Sequence, residues 1–584
     1  MADFSPGTYA RPLRFCCLAV LLSLALLTGW LQVRPGKALL QQSLREQSRL
    51  VYVPACRGAL LDRDGVALSY TVPGYSIVIR PELIRDPRDT RTRTLEKLSA
   101  AIASLGLALG KDFYDFRPGR EEILRHLREA PAMPLTLWED VDADVVARWA
   151  ALRDDFPATE LLLSWRRQYA FPALASHLRG RVRREAPRPD RDLDMRRFWN
   201  ANSRVLRGIS GMELALENEL AGHGGTELLQ TDVLSYRSKV LKAEPPDNGD
   251  DIRLSIWLPA QLLAQTLYDG SGYRGAVVAI DMASGEVLVM HSSPGEPLDG
   301  IASGSPGGGD ALVNRALAGY YPPGSVIKPL LALYALEHGI ADDSYAVECP
   351  GFFQLGQRTR IGCSHIHGNI AMRDSLAHSC NTYYCSLVQQ FSDEQLDDFA
   401  RLFGFGRKTG GVLSGQENPG VAFTPSWVRE HRHGLRSWRR GDAANAAIGQ
   451  GGWAVTPMQM ALAMNFALTG RLLEPLYLRD AEVVVREERH WSDTSRQVVA
   501  EGMRGCVEYG TGAALRVPGM AILAKTGTAE VGRNRRPHAW VVAASPAQSP
   551  RHLVVAVVEN GGSGGRVAGP VAAAILQKLA LMGK

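Results

Sequence analysis

Ser325 and Lys328 stand one helical turn apart in Tyr320-Tyr321-Pro322-Pro323-Gly324-Ser325-Val326-Ile327-Lys328-Pro329. Pro322, Pro323 and Gly324 form a break before a helix. Leu330 to Leu336 is apolar on every face, as a buried helix is. Gly339 stands where a C′ glycine would end it. A hydroxyl at a helix start, with a lysine on the same face, is a nucleophile arrangement. The helix dipole favours developing negative charge there. A lysine that is buried and neutral can take the hydroxyl proton. Pro329 falls in the first turn, where a missing N–H costs little. Alone, Ser-x-x-Lys recurs in many helices as a capping serine and a solvated lysine.

Two more motifs come later in the chain, in order, Ser379-Cys380-Asn381 and Lys525-Thr526-Gly527-Thr528. Ser379 can relay a proton, and the Asn381 amide can hold a substrate backbone. By themselves they read as a cap before the helix start Thr382-Tyr383-Tyr384. Lys525 to Thr528 ends an expected strand, Ala521–Ala524. Gly527 would let an extended peptide lie along the strand edge. Lys525 supplies positive charge that would lower the pKa of Lys328. The three motifs in this order are the signature of serine enzymes that react with β-lactams.

On these residues the chain resembles the class B penicillin-binding proteins, which are peptidoglycan D,D-transpeptidases. Within them it is most similar to penicillin-binding protein 2, the elongation-specific enzyme. Arg57 to Gly65, Arg166 to Tyr169 and Gly211 to Glu213 resemble the three motifs of the family's non-catalytic module. Ile448 to Trp453 and Thr456 to Ala461 also match, and are assigned to packing around the cleft. The resemblance is strong from Gly275 onward and weak between about Pro81 and Leu163. It departs at His291 to Pro297, where the family has Pro-x-x-Asp-Pro-Asn. Asn381 stands where some elongation enzymes carry aspartate.

The resemblance implies that Ser325 attacks the carbonyl of the penultimate D-alanine in a peptidoglycan stem peptide. Lys328 would be the acylation base, with Ser379 between it and the leaving amine. Lys525, Thr526 and Thr528 would hold the terminal carboxylate. The Ser325 and Thr528 N–H groups would form the oxyanion hole. β-Lactam antibiotics would acylate Ser325. Implied partners are a membrane glycan polymerase of the shape, elongation, division and sporulation family and elongation-complex scaffold proteins. A septal, penicillin-binding protein 3-type transpeptidase and a non-turnover β-lactam sensor or scaffold are the alternatives. A β-lactamase is disfavoured, because no clear deacylation glutamate is found and an anchor is expected.

The chain has eight cysteines. Cys16 and Cys17 lie in an apolar run, and Cys56 and Cys506 stand apart. The other four fall between Cys349 and Cys385, interleaved with His365 and His367. Such spacing suits tetrahedral zinc. Relatives carry a metal here on mixed carboxylate, histidine and cysteine ligands, and the matching positions are Cys349, Cys363, His367 and Cys380. A disulfide such as Cys349–Cys363 is the rival reading in an oxidising compartment. Zinc on four protein ligands would be structural. It would brace the Ser379-Cys380-Asn381 loop and leave no position for water.

Elements that must place these residues are legible as an α+β, multidomain chain. Its 584 residues exceed one core. A net charge of +5 does not point to nucleic acid. Arginines between Arg179 and Arg207 alternate with acids, as in a salt-bridged loop region. Residues 1–14 are expected to be a cytoplasmic tail. Phe15 to Val33 is uncharged and just long enough for one transmembrane signal anchor. Flanking charges do not orient it. The resemblance puts the N-terminus in the cytoplasm and the catalytic domain in the periplasm, on a single-pass inner-membrane protein. Gln41 to Arg49 is expected as a helical stalk. Residues 34–245 are expected to form an extended α/β pedestal of dimerisation type, with a head insertion at about 81–163. Asp64-Gly65 marks a hairpin turn, Asp140 to Arg153 an amphipathic helix, and Lys242 to Asp251 a linker. Residues 246–584 are expected to be the transpeptidase domain, an antiparallel sheet flanked by helices. Its strands are read at Gly275–Asp281, Gly285–Met290, Ala539–Ala544 and Leu553–Glu559, and its last helix at Val567–Met582. The Gly/Ser-rich loop Pro297–Asp310 is expected to be mobile.

Overall fold

The structure, a computed structural model, describes residues 7–33, 48–86, 88–129, 131, 133–185, 198, 204–231, 237–295, 308–431, 437–532 and 534–582. Most of the expected stalk, most of the arginine-rich stretch and the loop over residues 297–307 lie outside the described residues. Gly7–Val33 is one helix, with Phe15, Leu18, Leu21, Leu26 and Trp30 exposed. Among the described residues no helix is long and apolar enough to cross a membrane.

The module after it is built around a long strand, Ala67–Ile79. That strand pairs antiparallel with Thr159–Tyr169 along most of its length. Asp64 and Gly65 turn the chain into it, as expected, because Asp62 Oδ1 accepts the N–H groups of Asp64 and Val66. Helices Arg91–Leu109, Arg120–Glu129 and Ala143–Ala151 close over a core of their own with strand Leu135–Val141. Leu98, Ile102, Leu105, Trp138 and Trp149 fill it. Asp140 belongs to the strand here, not to the amphipathic helix, which begins only at Ala143.

Glu213 holds the three module motifs together. It is fully buried, and its carboxylate accepts from Arg57 Nε at 2.7 Å, Arg167 Nε at 2.8 Å and Ser69 Oγ at 2.9 Å. These motifs hold the module together from within. The expected linker is a correction. Lys242 to Glu244 finish strand Arg237–Glu244, and Asp247 exchanges backbone hydrogen bonds with His223. Backbone pairing, not a free tether, carries the chain onward. Ile252–Arg253 then pairs parallel with Leu60–Leu61 of the pedestal.

The C-terminal domain is organised on strands β1 (Gly275–Asp281), β2 (Val287–Ser293), β3 (Leu523–Ala529), β4 (His538–Ser545) and β5 (His552–Val558). They form one antiparallel sheet in the order β2–β1–β5–β4–β3. Both faces are covered, so most strand residues are buried and the strand centres are continuous apolar runs rather than alternating with polar ones. Val277, Ala279, Val541 and Val554 face helices α1 (Leu258–Gly270) and α6 (Gly569–Leu579). Val278, Ile280, Val542 and Val555 lie on the other face, which α4 (Pro457–Thr469) covers, in one core with α2 (Lys328–Glu337) and α3 (Asn381–Val388) beyond it. Helix α5 (Asp493–Glu508) leads back to β3. The C-terminal helix begins at Gly569, two residues after the expected start, because Gly564–Ala568 forms a wider turn.

Glu213→Gln leaves buried Arg167 short of its counter-charge, while Arg57 keeps Glu217 at 2.7 Å. Breaking a buried ion pair costs about 3–5 kcal/mol. The expected result is a matching fall in unfolding free energy of the pedestal, read from the denaturant midpoint of the first transition. Penicillin acylation of the still-folded fraction should be unchanged.

Candidate active site

Ser325 lies in a single 3₁₀ turn, Gly324–Ile327, that runs directly into α2. Lys328 opens α2 and is fully buried, as are Leu330 to Ala335 behind it. The turn is pressed against β3 from one side. A Cβ on Gly324 would lie 3.2 Å from the Thr528 carbonyl oxygen, and one on Gly449 would lie 2.2 Å from the Gly324 carbonyl oxygen. The Gly-rich loop at Ile448–Trp453 thus packs directly behind the nucleophile turn, with Gly324 N–H donating to Gly449 O at 3.0 Å.

Three of the predicted residues meet at one hydroxyl. Lys525 Nζ donates to Ser379 Oγ at 2.8 Å, and Lys328 Nζ lies 3.4 Å from the same oxygen. Lys328 Nζ also donates to Ser379 O and Asn381 Oδ1, each at 2.8 Å. Ser379 sits at φ +58°, a left-handed conformation rare for a side-chain-bearing residue. That conformation goes with a residue whose carbonyl and hydroxyl both serve Lys328. Burial, helped by the charge of Lys525, brings the Lys328 pKa down to about 7. Burial brings Lys525 down to about 8. A neutral amine one turn after Ser325 can accept a proton near neutral pH.

Two expected roles change. Asn381 uses both ends of its amide within the protein: Oδ1 accepts from Lys328, and Nδ2 donates to Gly362 O at 2.8 Å. It orients the lysine and the neighbouring turn, which leaves one amide hydrogen for a substrate. Gly527 does not open the strand edge to a peptide. Its missing side chain points at the nucleophile turn, where a Cβ would lie 3.1 Å from Pro323 O and from Val326 Cγ1. Lys525-Thr526-Gly527-Thr528 also falls inside β3 rather than at its end. The edge itself is free for another reason: among the described residues β3 pairs only with β4. Thr526 is buried against Thr511, with 2.6 Å between their hydroxyl oxygens, while Thr528 is exposed. Thr511 was not singled out from sequence. Its setting, Gly510-Thr511-Gly512, repeats the Thr-Gly pattern of β3 and was a usable signal.

Cys349, Cys363, His367 and Cys380 come together as the sequence predicts, with all four ligand atoms within 4.8 Å of one another. Cys349 ends a short strand paired with Gly368–Ala371, and Cys363 comes directly after the hairpin Phe352–Leu355/Thr359–Gly362. Cys380 is the N-cap of α3. All four cysteines in this region are free thiols, so the Cys349–Cys363 disulfide is not formed. His365 is exposed and outside the cluster, and Cys385 is buried elsewhere, near Ala444 O. The first turn of α3 faces the sulfurs. Asn381 N–H donates to Cys363 Sγ at 3.1 Å and Tyr383 N–H to Cys380 Sγ at 3.5 Å, while Thr382 Oγ1 lies 3.2 Å from Cys349 Sγ. The Cys380 sulfur, 3.8 Å away, and then backbone N–H donors hold the Cys363 thiol well below its usual range against the opposing effect of burial. Three sulfurs and one imidazole, with N–H groups aimed at the sulfurs, fit a tetrahedral soft-metal site.

The chain matches the penicillin-binding protein transpeptidase domain over residues 275–577 and the penicillin-binding protein dimerisation domain over residues 52–254. The peptidoglycan D,D-transpeptidase MrdA of Acinetobacter baumannii is 29% identical over 597 residues, covering 96% of this chain and 85% of its own. A structure of a complex between penicillin-binding protein PBP2 and MreC from Helicobacter pylori shares the fold, with a TM-score of 0.76 at 24% identity over 92% of this chain and 99% of that one. A structure showing coordination of polymerization and crosslinking by a peptidoglycan synthase complex gives a TM-score of 0.66 at 25% identity, over 98% of both chains. The chain belongs to the penicillin-binding protein transpeptidase family, as a class B member similar to penicillin-binding protein 2.

Proposed function

We propose that this chain crosslinks peptidoglycan stem peptides in cell-wall elongation through an acyl-enzyme on Ser325, and that β-lactams acylate the same hydroxyl. The observation that carries the reading is Lys328: fully buried, one turn after Ser325, with its pKa lowered to about 7. In the first half-reaction Ser325 Oγ attacks the carbonyl of the penultimate D-alanine. Its proton passes to neutral Lys328. The developing oxyanion lies between the backbone N–H groups of Ser325 and Thr528, on two elements in van der Waals contact. The peptide C–N bond then breaks. Ser379, between Lys328 and Lys525, returns the proton to the departing D-alanine amine. In the second half-reaction an amine of another stem attacks the ester and gives up its proton along the same path. A β-lactam undergoes the first half only, because its leaving nitrogen stays tethered in the adduct.

The free edge of β3 suits a stem peptide bound as an added strand. The exposed Thr528 and the Thr526–Thr511 hydroxyl pair offer donors for the terminal carboxylate, and Lys525 adds positive charge from the buried side. Zinc on Cys349, Cys363, His367 and Cys380 would be structural and fix the first turn of α3. The helix that holds Phe15 to Trp30 is not long and apolar enough among its described residues to cross a membrane, so a single-pass anchor with the catalytic domain in the periplasm rests on the resemblance and on the uncharged run Phe15–Val33 in the sequence. A transpeptidase without its own glycan polymerase needs one beside it, and the Helicobacter pylori protein solved with MreC supports a scaffold partner of that kind.

Intact-protein mass spectrometry with a fluorescent penicillin tests the nucleophile. A penicilloyl adduct is expected on wild type and none on Ser325→Ala; an unreacted folded wild type would sink the reading. The acylation rate should rise as pH passes upward through about 7, because only neutral Lys328 accepts the proton, and then level off. Lys525→Ala removes a nearby positive charge, so the midpoint of whatever rate remains should move to higher pH. A midpoint that stays put would remove Lys525 from the tuning of Lys328.

Native and denaturing mass spectra of the same protein test the metal. One zinc, lost on denaturation and absent in Cys363→Ser, is expected. Chelation should lower the melting temperature of the transpeptidase domain even without substrate. A mass two hydrogens short of the reduced chain, with no metal, would instead make the cluster a disulfide.

A further inference from the structure

Glu559 is the first residue after β5, and no step of the proposed reaction uses it. Its Oε1 accepts from Tyr321 Oη at 2.8 Å and from Arg315 Nε at 2.8 Å. Arg315 is buried, at the start of the short helix Arg315–Ala318, and also donates to Asp310 O at 2.9 Å. Glu559 N–H donates to Arg274 O at 2.7 Å, which fixes the carboxylate's own backbone to the segment entering β1. The Glu559 carboxylate thus ties two residues of the lead-in to the nucleophile onto the middle strand of the sheet.

The residues between Tyr321 and Ser325 transmit the tyrosine's position. Pro322 and Pro323 fix their φ angles and carry no N–H, so the path to Ser325 is short and stiff. The Tyr321 backbone exchanges hydrogen bonds with Val455 at 3.1 and 2.8 Å. Its ring stands edge-on to His538 and Trp540 of β4, at centroid distances of 5.5 and 5.9 Å. Trp540 in turn underlies Gly527, where a Cβ would lie 3.1 Å from Trp540 Cβ. One aromatic stack therefore touches both sides of the oxyanion hole: the Ser325 turn through Tyr321, and β3 through Trp540.

We infer that Glu559 is a positioning residue, which through the Tyr321 hydroxyl sets the Ser325 turn against β3 so that the Ser325 and Thr528 N–H groups converge on the reacting carbonyl. The inference rests on the acyl-enzyme reading of Ser325. A displacement of about 1 Å at such a site costs on the order of a hundredfold in rate. Ground-state binding along the β3 edge does not involve Glu559.

The test is the acylation of the purified full chain by a fluorescent penicillin over a range of concentrations, resolved into a non-covalent dissociation constant and a first-order acylation constant. Tyr321→Phe removes only the hydroxyl and keeps the Arg315–Glu559 ion pair, so it stays informative if Glu559→Ala fails to fold. Tyr321→Phe and Glu559→Ala are each expected to lower the acylation constant about ten- to a hundredfold, with the dissociation constant little changed. Glu559→Gln keeps an acceptor for Tyr321 and should recover most of the rate. The double variant Tyr321→Phe/Glu559→Ala should be no slower than Glu559→Ala alone. Wild-type acylation with an unaltered constant in Tyr321→Phe would overturn the inference and leave the enzyme reading intact. So would additive losses in the double variant, or losses that fall on the dissociation constant. A wild type that is not acylated would overturn the reading and the inference with it.

Discussion

Two lysine ammonium groups are buried around one serine hydroxyl, and the catalytic domain is arranged to tolerate that. Like charges held together away from water repel strongly and lose hydration. The strain is relieved by letting Lys328 shed its proton near neutral pH. What remains is satisfied by fixed acceptors: Ser379 O and Asn381 Oδ1 for Lys328, Ser379 Oγ and Thr526 O for Lys525. Each acceptor comes from a different part of the chain than the lysine it serves, apart from Thr526. The sheet must therefore bring β3 beside α2, and α3 must end between them. The left-handed backbone at Ser379 arises from the same need, since one residue supplies two acceptors to Lys328 and one to Lys525.

How much of this was legible depends on whether a signal is local. Ser325, Lys328, Ser379, Asn381 and Lys525 announced themselves through short motifs, and the strands of the sheet through continuous apolar runs. The four cluster residues were legible through spacing in a stretch too polar to be core. Roles set by packing direction were not. Whether the face of Gly527 looks toward a peptide or toward Pro323 depends on which side of the sheet the nucleophile turn occupies, and no local pattern encodes that. The further role of Asn381 within the protein was not legible because its partner, Gly362 O, arrives on a separate hairpin. Glu559 was missed for the same reason: it is an ordinary residue at a strand end until Tyr321 and Arg315 dock on it. The segment Lys242–Asp251 is polar because it is largely exposed, and the backbone pairs and the Asn248 and Asp251 side-chain contacts that fix it leave no pattern in its composition.

The pedestal and the catalytic domain are joined by directional contacts rather than by a tether. Ile252–Arg253 enters the pedestal sheet, and Asp62, which also closes the hairpin turn, accepts the N–H of Leu258 at the start of α1. On the other side Gly211 and Gln416 exchange two hydrogen bonds, Gly211 N–H to Gln416 Oε1 at 2.9 Å and Gln416 Nε2 to Gly211 O at 3.0 Å. Gly211 is two residues from Glu213, the carboxylate that organises the pedestal. Asn418, two residues past Gln416, donates its N–H to Leu317 O at 3.0 Å, just ahead of the nucleophile lead-in. A change in the packing around Glu213 thus meets the catalytic domain close to the segment that carries Ser325.

The first turn of α3 has to serve two sites at once, and this limits how either can vary. Its N–H groups and the Thr382 hydroxyl face the sulfurs of Cys349, Cys363 and Cys380, while the Asn381 side chain and Ser379 face Lys328. A helix N-terminus favours negative charge, and the N–H groups of this turn help hold the Cys363 thiol below its usual range. Aspartate in place of Asn381 would put another negative charge between the sulfurs and Lys328 and raise the pKa of the base by direct attraction. An amide keeps the acceptor for Lys328 and adds a donor for Gly362 O without that charge. With three cysteines in the cluster instead of carboxylates, the neutral residue at position 381 is the choice that leaves Lys328 free to lose its proton.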